Sequence, residues 1–224
     1  MTEKQHRPRL TAGIDDAGRG SIIGPLLIAG ISVDDQGLKK LSEIGVRDSK
    51  LLSPASRERL YKLIKSIAVK IVFHKLSPEQ IDEYVLKGAK YRRLNYFEAI
   101  TMGKIAAELN PDIVYVDASD INPERFGRDV LSAMGRDTEI VSAHHADRTY
   151  PVVSAASIVA KCERDAEVRK IAEEHGDFGS GYPSDPRTTQ FLSKWLSQHG
   201  EMPQFSRKSW KTWNKVRDKR LDEF

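Results

Sequence analysis

The chain has 224 residues, 39% hydrophobic and 30% charged, which suits one substantial folded core and excludes a disordered chain. A single cysteine, Cys162, excludes an internal disulfide and a thiolate zinc cluster, and the polar start MTEKQHRPRL lacks a signal peptide's apolar run. The net charge of +4 is too small to name a partner, and the apolar run Ile22 to Val33, broken by Gly24, Pro25 and Gly30, falls short of the ~20 residues of a membrane helix. The expected location is the cytoplasm.

In chain order the segments alternate between strand and helix. Leu10 to Asp16 reads as a short strand, and Ile22 to Val33 as a β-rich apolar run. Ser53 as N-cap and Pro54 at the first helical position open a helix to Ile67, with Leu60, Leu63, Ile64 and Ile67 at helical spacing. Ala68 to Leu76 alternates as a strand, and Ser77-Pro78 opens another capped helix. Leu94 to Leu109 predicts a helix stopped by Asn110-Pro111. Asp112 to Asp117 (DIVYVD) predicts a short buried strand ending in an acid. Pro123 to Met134 reads as helix, Thr138 to Ser142 as strand, and Tyr150 to Glu174 as a long helix. Beyond the turn Gly179-Ser180-Gly181-Tyr182-Pro183, helical stretches run over about Arg187–Gln198 and Ser209–Leu221. This predicts a mixed α/β domain, 1–175, followed by a helical C-terminal subdomain and tail, 176–224.

The charge distribution says more than its sum. Arg207, Lys208, Lys211, Lys215, Arg217, Lys219 and Arg220 crowd the C-terminal stretch around Trp210 and Trp213. Such cations can neutralise phosphates, and indoles can stack. The alternative is an amphipathic helix whose tryptophans point into the core.

Acids stand at the strand exits: Asp15 and Asp16 close the first strand and Asp117 closes DIVYVD, with Asp147 ahead of the long helix. One such acid is ordinary in a turn. Several are less easily dismissed, because ligands favour the carboxyl ends of α/β strands. Converging carboxylates repel unless a hard cation neutralises them, and a set without Cys or an obligatory His suits magnesium or manganese. Two such ions can serve phosphodiester hydrolysis. Gly18-Arg19-Gly20 follows the acid pair directly, and small residues there let a ligand approach the backbone.

The stretches GIDDAGRG at 13–20, RDSK at 47–50, VYVDAS at 114–119, HHAD at 144–147, YPVVSAASIVAKCERD at 150–165, GSGYPSDPRT at 179–188 and RKSW at 207–210 resemble, in order and spacing, the type 2 ribonuclease H (ribonuclease HII) family of archaeal type. The resemblance covers roughly residues 10 to 215. It implies an α/β ribonuclease H-like fold, a central mixed sheet flanked by helices with a helical C-terminal subdomain. It also implies metal-dependent cutting of RNA paired with DNA, including 5′ of single ribonucleotides in duplex DNA, leaving 5′-phosphate and 3′-hydroxyl ends.

By the same resemblance, Asp15, Asp16, Asp117 and Asp147 are the metal-binding catalytic carboxylates, holding two Mg²⁺ or Mn²⁺ ions. Gly18, Arg19 and Gly20 match the loop that reads the ribose 2′-hydroxyl, the one group that separates RNA from DNA at a given position. Tyr182 matches the tyrosine that stacks on the sugar beyond the cut, although it could simply pack over a turn. Arg47, Lys50 and Lys161 match basic residues near the substrate backbone. His144 stays outside the catalytic set, and Ser154 and Ser157 are expected to be small residues for close helix packing.

The sequence departs from the family pattern at three places, of which the last, at Ala143 and His145, is tolerable because His144 and Asp147 remain. Asp16 stands where glutamate is usual, which withdraws the carboxylate by about 1.5 Å. Ser21 replaces a common proline, and Ala143 and His145 depart from a Glu-His-Lys-Ala-Asp pattern. Rival readings are a junction resolvase on the same fold and a nucleic-acid-binding protein that has lost catalysis through Asp16. In the tail, Leu221 and Phe224 occupy the aliphatic and first aromatic positions of a sliding-clamp-binding peptide, with Asp218 in place of its glutamine. The alternative is that both cap the last helix against the protein's own core.

Overall fold

The computed structural model describes residues 8–46, 52–87 and 93–213. The chain opens with strands β1 (Thr11–Ala17) and β2 (Leu26–Val33), then helices α1 (Asp35–Glu43) and α2 (Pro54–Ile67). Strand β3 (Lys70–Leu76), helices α3 (Pro78–Lys87) and α4 (Arg93–Leu109), and strand β4 (Ile113–Asp117) follow. Helix α5 (Pro123–Met134), strand β5 (Glu139–Ala143), the short α6 (Ala146–Thr149), the long α7 (Pro151–His175) and α8 (Pro186–His199) come next.

Capping chemistry sets several of these limits. Ser53 accepts from the N–H of Ser56 at 3.1 Å, and Pro54 begins α2 as expected. Asn122 accepts from the N–H of Arg125, and Gly135 ends α5 in the left-handed conformation at φ 72°. Helix α1, which the sequence pattern does not predict, has its own N-cap, Asp34, which accepts from Gly37 at 2.7 Å. The sequence also places the last helix from Ser209, whereas Lys208 to Lys211 form turns and helix begins at Thr212. The cause is Asp82, whose carboxylate takes the N–H groups of Lys208 (2.7 Å) and Ser209 (2.9 Å) and the Ser209 hydroxyl.

The five strands form one mixed sheet in the order β3-β2-β1-β4-β5. Strands β1 and β4 pair in parallel with Thr11 opposite Ile113 and Ile14 opposite Val116, and β4 and β5 pair in parallel through Asp117 opposite Ala143. Three neighbouring strands therefore end at the same edge, each with the chain's acids at or just past its exit.

Two glycines fix how closely helices approach the two faces. A Cβ at Gly13 would stand 2.4 Å from the carbonyl of Val152, so α7 lies directly on that face of β1. A Cβ at Gly30 would meet Ile105, Leu109 and Ile14, which places α4 against the other face. Side chains alternate along a strand, so Asp15 shares its face with Gly13 and looks toward α7.

Contacts divide the chain into two compact units. The first comprises Met1–Asp16, Ile28–His74 and Asn95–Cys162, and it holds most of the sheet. The second comprises Ala17–Leu27, Lys75–Leu94 and Glu163–Phe224. Its core is Ile22, Ile23, Phe178, Leu192 and Met202, with Trp210 and Trp213 packed against them, so the core-facing alternative holds for both indoles. No helix among the described residues is long and apolar enough to cross a membrane.

Candidate metal centre and recognition loop

The first unit brings Asp15, Asp117 and Asp147 together, with one carboxylate oxygen of each within 4.8 Å of the others. Their placement follows from the fold. The parallel register of β1 and β4, continued by one residue, sets Asp15 beside Asp117, and the turn after β5 delivers Asp147 on α6. That turn needs His145 at φ 56°, a left-handed conformation uncommon outside glycine. The N–H of Ala146 then donates to Asp117 at 3.1 Å and ties the turn to the strand end.

Asp15 is 5% exposed and Asp147 4% exposed. Burial, then the charges of Asp16 and Asp117, push the Asp15 carboxyl well above the usual carboxylate range. Hydrogen bonds from Ser157 and from the N–H of Asp16, the latter 2.7 Å, oppose the shift. An all-oxygen cluster whose members repel one another is one that a hard divalent cation would neutralise. The donor set fits such an ion.

Asp16 is half-buried and does not join the group of three. Ser154 and Ser157, expected as small packing residues, are buried but also bond: the Ser157 hydroxyl meets Asp15, and Ser154 donates to the Asp147 carbonyl. Their spacing of three on the helix that Gly13 admits was the available signal. His144 lies 3.3 Å from the carbonyls of both Ala118 and Ile121, where it braces the loop after β4.

The second unit holds Gly18, Arg19, Gly20 and Tyr182. Gly18 has φ +87°, and a Cβ there would stand 2.8 Å from the Pro25 carbonyl, so this turn requires glycine. Ser21 closes the turn with two donors to the Gly18 carbonyl, its N–H at 3.2 Å and its hydroxyl at 2.9 Å. Proline would supply neither, which is what this departure contributes.

Gly20 is exposed, and a Cβ there would be in ordinary contact with the Tyr182 ring at 3.8 Å. The Arg164 guanidinium lies over that ring at 4.7 Å and donates to the Ser180 carbonyl at 2.7 Å. Asp185 holds the same loop: bonds from the Ser180 and Arg187 N–H groups keep its carboxyl down at about 2. Lys161 is half-buried on α7. Arg47, Lys50, Leu221 and Phe224 lie outside the described residues.

The family described as Ribonuclease HII matches residues 12–213. A ribonuclease HII of Thermococcus kodakarensis is 45% identical over 210 residues, covering 93% of this chain and 90% of its own. The crystal structure of ribonuclease H2 from Pyrococcus horikoshii superposes with a TM-score of 0.85 at 37% identity, covering 94% of this chain and 98% of that one. The ribonuclease HII in the PCNA complex from Archaeoglobus fulgidus also gives 0.85, at 42% identity and coverage of 96% and 100%.

Proposed function

The chain belongs to the ribonuclease HII family, metal-dependent endoribonucleases that act on the RNA of RNA–DNA hybrids, and we propose that it also cuts 5′ of single ribonucleotides embedded in duplex DNA. The observation that carries this reading is the convergence of Asp15, Asp117 and Asp147 from separate elements at one sheet edge. These three, with Asp16 beside Asp15, would hold divalent cations, Mg²⁺ or Mn²⁺ and two during catalysis. When bound, such ions supply water activation and charge neutralisation for hydrolysis to 5′-phosphate and 3′-hydroxyl ends.

The chain's own residues do the rest. Ser157 orients the Asp15 carboxylate, and Ala146 orients Asp117. Gly18, Arg19 and Gly20 read the 2′-hydroxyl, while Arg47, Lys50 and Lys161 meet the substrate backbone. The functional division is proposed as catalytic residues 1–175 and a helical 176–224, in a cytoplasmic protein. The test incubates the protein and Mg²⁺ with a duplex holding one ribonucleotide, an all-DNA duplex and a DNA four-way junction. Cutting of the first alone is expected, and cutting of the junction would overturn the reading.

Two variants follow. Asp16→Glu should keep or raise turnover with Mg²⁺, since it restores the reach usual in the family, whereas the present aspartate should favour the less demanding Mn²⁺. Collapse of the glutamate variant with both ions would show that the loop is built for the shorter side chain. Tyr182→Ala should harm cleavage at a single ribonucleotide more than cleavage within a long hybrid, because sugar stacking discriminates most at an RNA-to-DNA junction. Equal losses would reduce Tyr182 to packing. A clamp contact through Leu221 and Phe224 is proposed as well, in keeping with the PCNA-bound relative of Archaeoglobus fulgidus.

A further inference from the structure

Among the described residues Arg207 is the largest fully buried side chain, and its guanidinium is spent on backbone. Nη1 donates to the carbonyl of Arg19 at 2.7 Å, and Nη2 to that of Gly18 at 2.7 Å. Nη2 and Nε also reach the carbonyl of Gly24, at 3.2 and 3.3 Å. The segment that carries it is pinned to the loop's far side: Arg207 N–H donates to Ile22 at 2.8 Å, Gly24 N–H to Phe205 at 2.9 Å, and Ile23 bridges Ser206. Trp210 covers the guanidinium, its ring centre 4.9 Å away.

A rigid fork of donors that holds two successive carbonyls also fixes what those peptide units present on their other side. In a trans peptide the N–H points opposite to the C=O. With the Gly18 carbonyl turned onto Arg207, the N–H of Arg19 faces away from the guanidinium. With the Arg19 carbonyl turned onto Arg207, the N–H of Gly20 does the same. Two consecutive donors on one side, backed by a buried positive charge, are suited to an oxygen of a hydroxyl or phosphate. Gly20 is exposed, so nothing of its own side chain blocks that approach.

We propose that Arg207 is a positioning residue for ribonucleotide recognition: it sets the Gly18–Arg19 and Arg19–Gly20 peptide planes so that both N–H groups meet the ribonucleotide. This rests on the reading of the 18–20 loop as the ribonucleotide contact. Arg207 touches no substrate itself, and its contribution is to discrimination between an embedded ribonucleotide and a long hybrid, in which many ribonucleotides offer alternative registers.

The experiment compares Arg207→Lys, Arg207→Gln and Gly20→Ala by kcat/KM on a duplex with one ribonucleotide and on a long hybrid, with amide exchange of Arg19 and Gly20 as a readout independent of activity. Lysine keeps the charge and guards against a glutamine variant that fails to fold. For both Arg207 variants the ratio of single-ribonucleotide to hybrid cleavage should fall about tenfold or more, as expected for losing charged hydrogen bonds that fix a contact. Exchange at Arg19 and Gly20 should accelerate. Equal losses on both substrates, or a lysine variant with the parent's ratio, would overturn the inference. A selective loss in Gly20→Ala alongside equal losses in the Arg207 variants would defeat the role of Arg207 while leaving the loop reading intact. An unselective Gly20→Ala would defeat the loop reading and this inference with it.

Discussion

Asp117→Asn and Asp147→Asn should each abolish cleavage while leaving hybrid binding largely intact. A loss of a hundredfold or more is expected, since even partners one shell beyond a metal ligand are worth roughly 10–100-fold. Binding survives because contacts to the nucleic-acid backbone, not the carboxylates, position a duplex. Asparagine at 117 can still accept from the Ala146 N–H, so the turn that carries Asp147 is preserved. The variant also removes one of the charges that push up the Asp15 carboxyl, so in chelator it should melt no lower than the parent. Adding Mg²⁺ or Mn²⁺ should raise the parent's Tm by mass action and the variant's little or not at all. Parent-like turnover by either variant would sink the assignment of the site.

Gly13→Ala should strongly destabilise the first unit. The new Cβ would stand 2.4 Å from the Val152 carbonyl carbon and oxygen and 2.6 Å from the Val153 nitrogen. A side chain could rotate away, but a helix backbone cannot, so α7 or β1 must shift. Ordinary overpacking costs about 1–3 kcal/mol, and a main-chain obstacle lies at or above the top of that range. For a chain of this length that corresponds to a fall in Tm of roughly 6–12 °C. Displacing α7 also moves Ser157 away from Asp15, so cleavage measured well below the melting range should drop too. A Tm within about 2 °C of the parent would show that the strand-to-helix spacing yields easily, against the geometry.

Much of this architecture was legible because local chemistry wrote it. Ser53 and Pro54 mark the start of α2, and Asn122-Pro123 with Gly135 bracket α5, within what a cap alone can specify. Acids at strand exits pointed to Asp15, Asp117 and Asp147 before any register was known. Helix α1 escaped because it is short and contains Gly37, which weakens its helical pattern, although Asp34 and Asp35 were an available start signal. The apolar run from Ile22 read as continuous β, yet β2 begins at Leu26. Gly24 takes φ +87°, and residues 22 to 24 pair instead with 205 to 207, a partner some 183 positions away that no local window can see. Arg207 was hidden for the same reason: in sequence it is one cation in a basic tail, and distant carbonyls give it its role.

The three tryptophans, Trp195, Trp210 and Trp213, all fall in the second compact unit, and two of them pack on its apolar core. Indole emission, excited at the red edge where tyrosine is silent, therefore reports on that unit alone. Far-UV dichroism sums over every helix and strand in the chain. The molecule thus carries a built-in pair of optical probes with different fields of view. Coincident denaturation curves would mean one cooperative transition, and separated curves would assign the order in which the two units melt, without a label being attached.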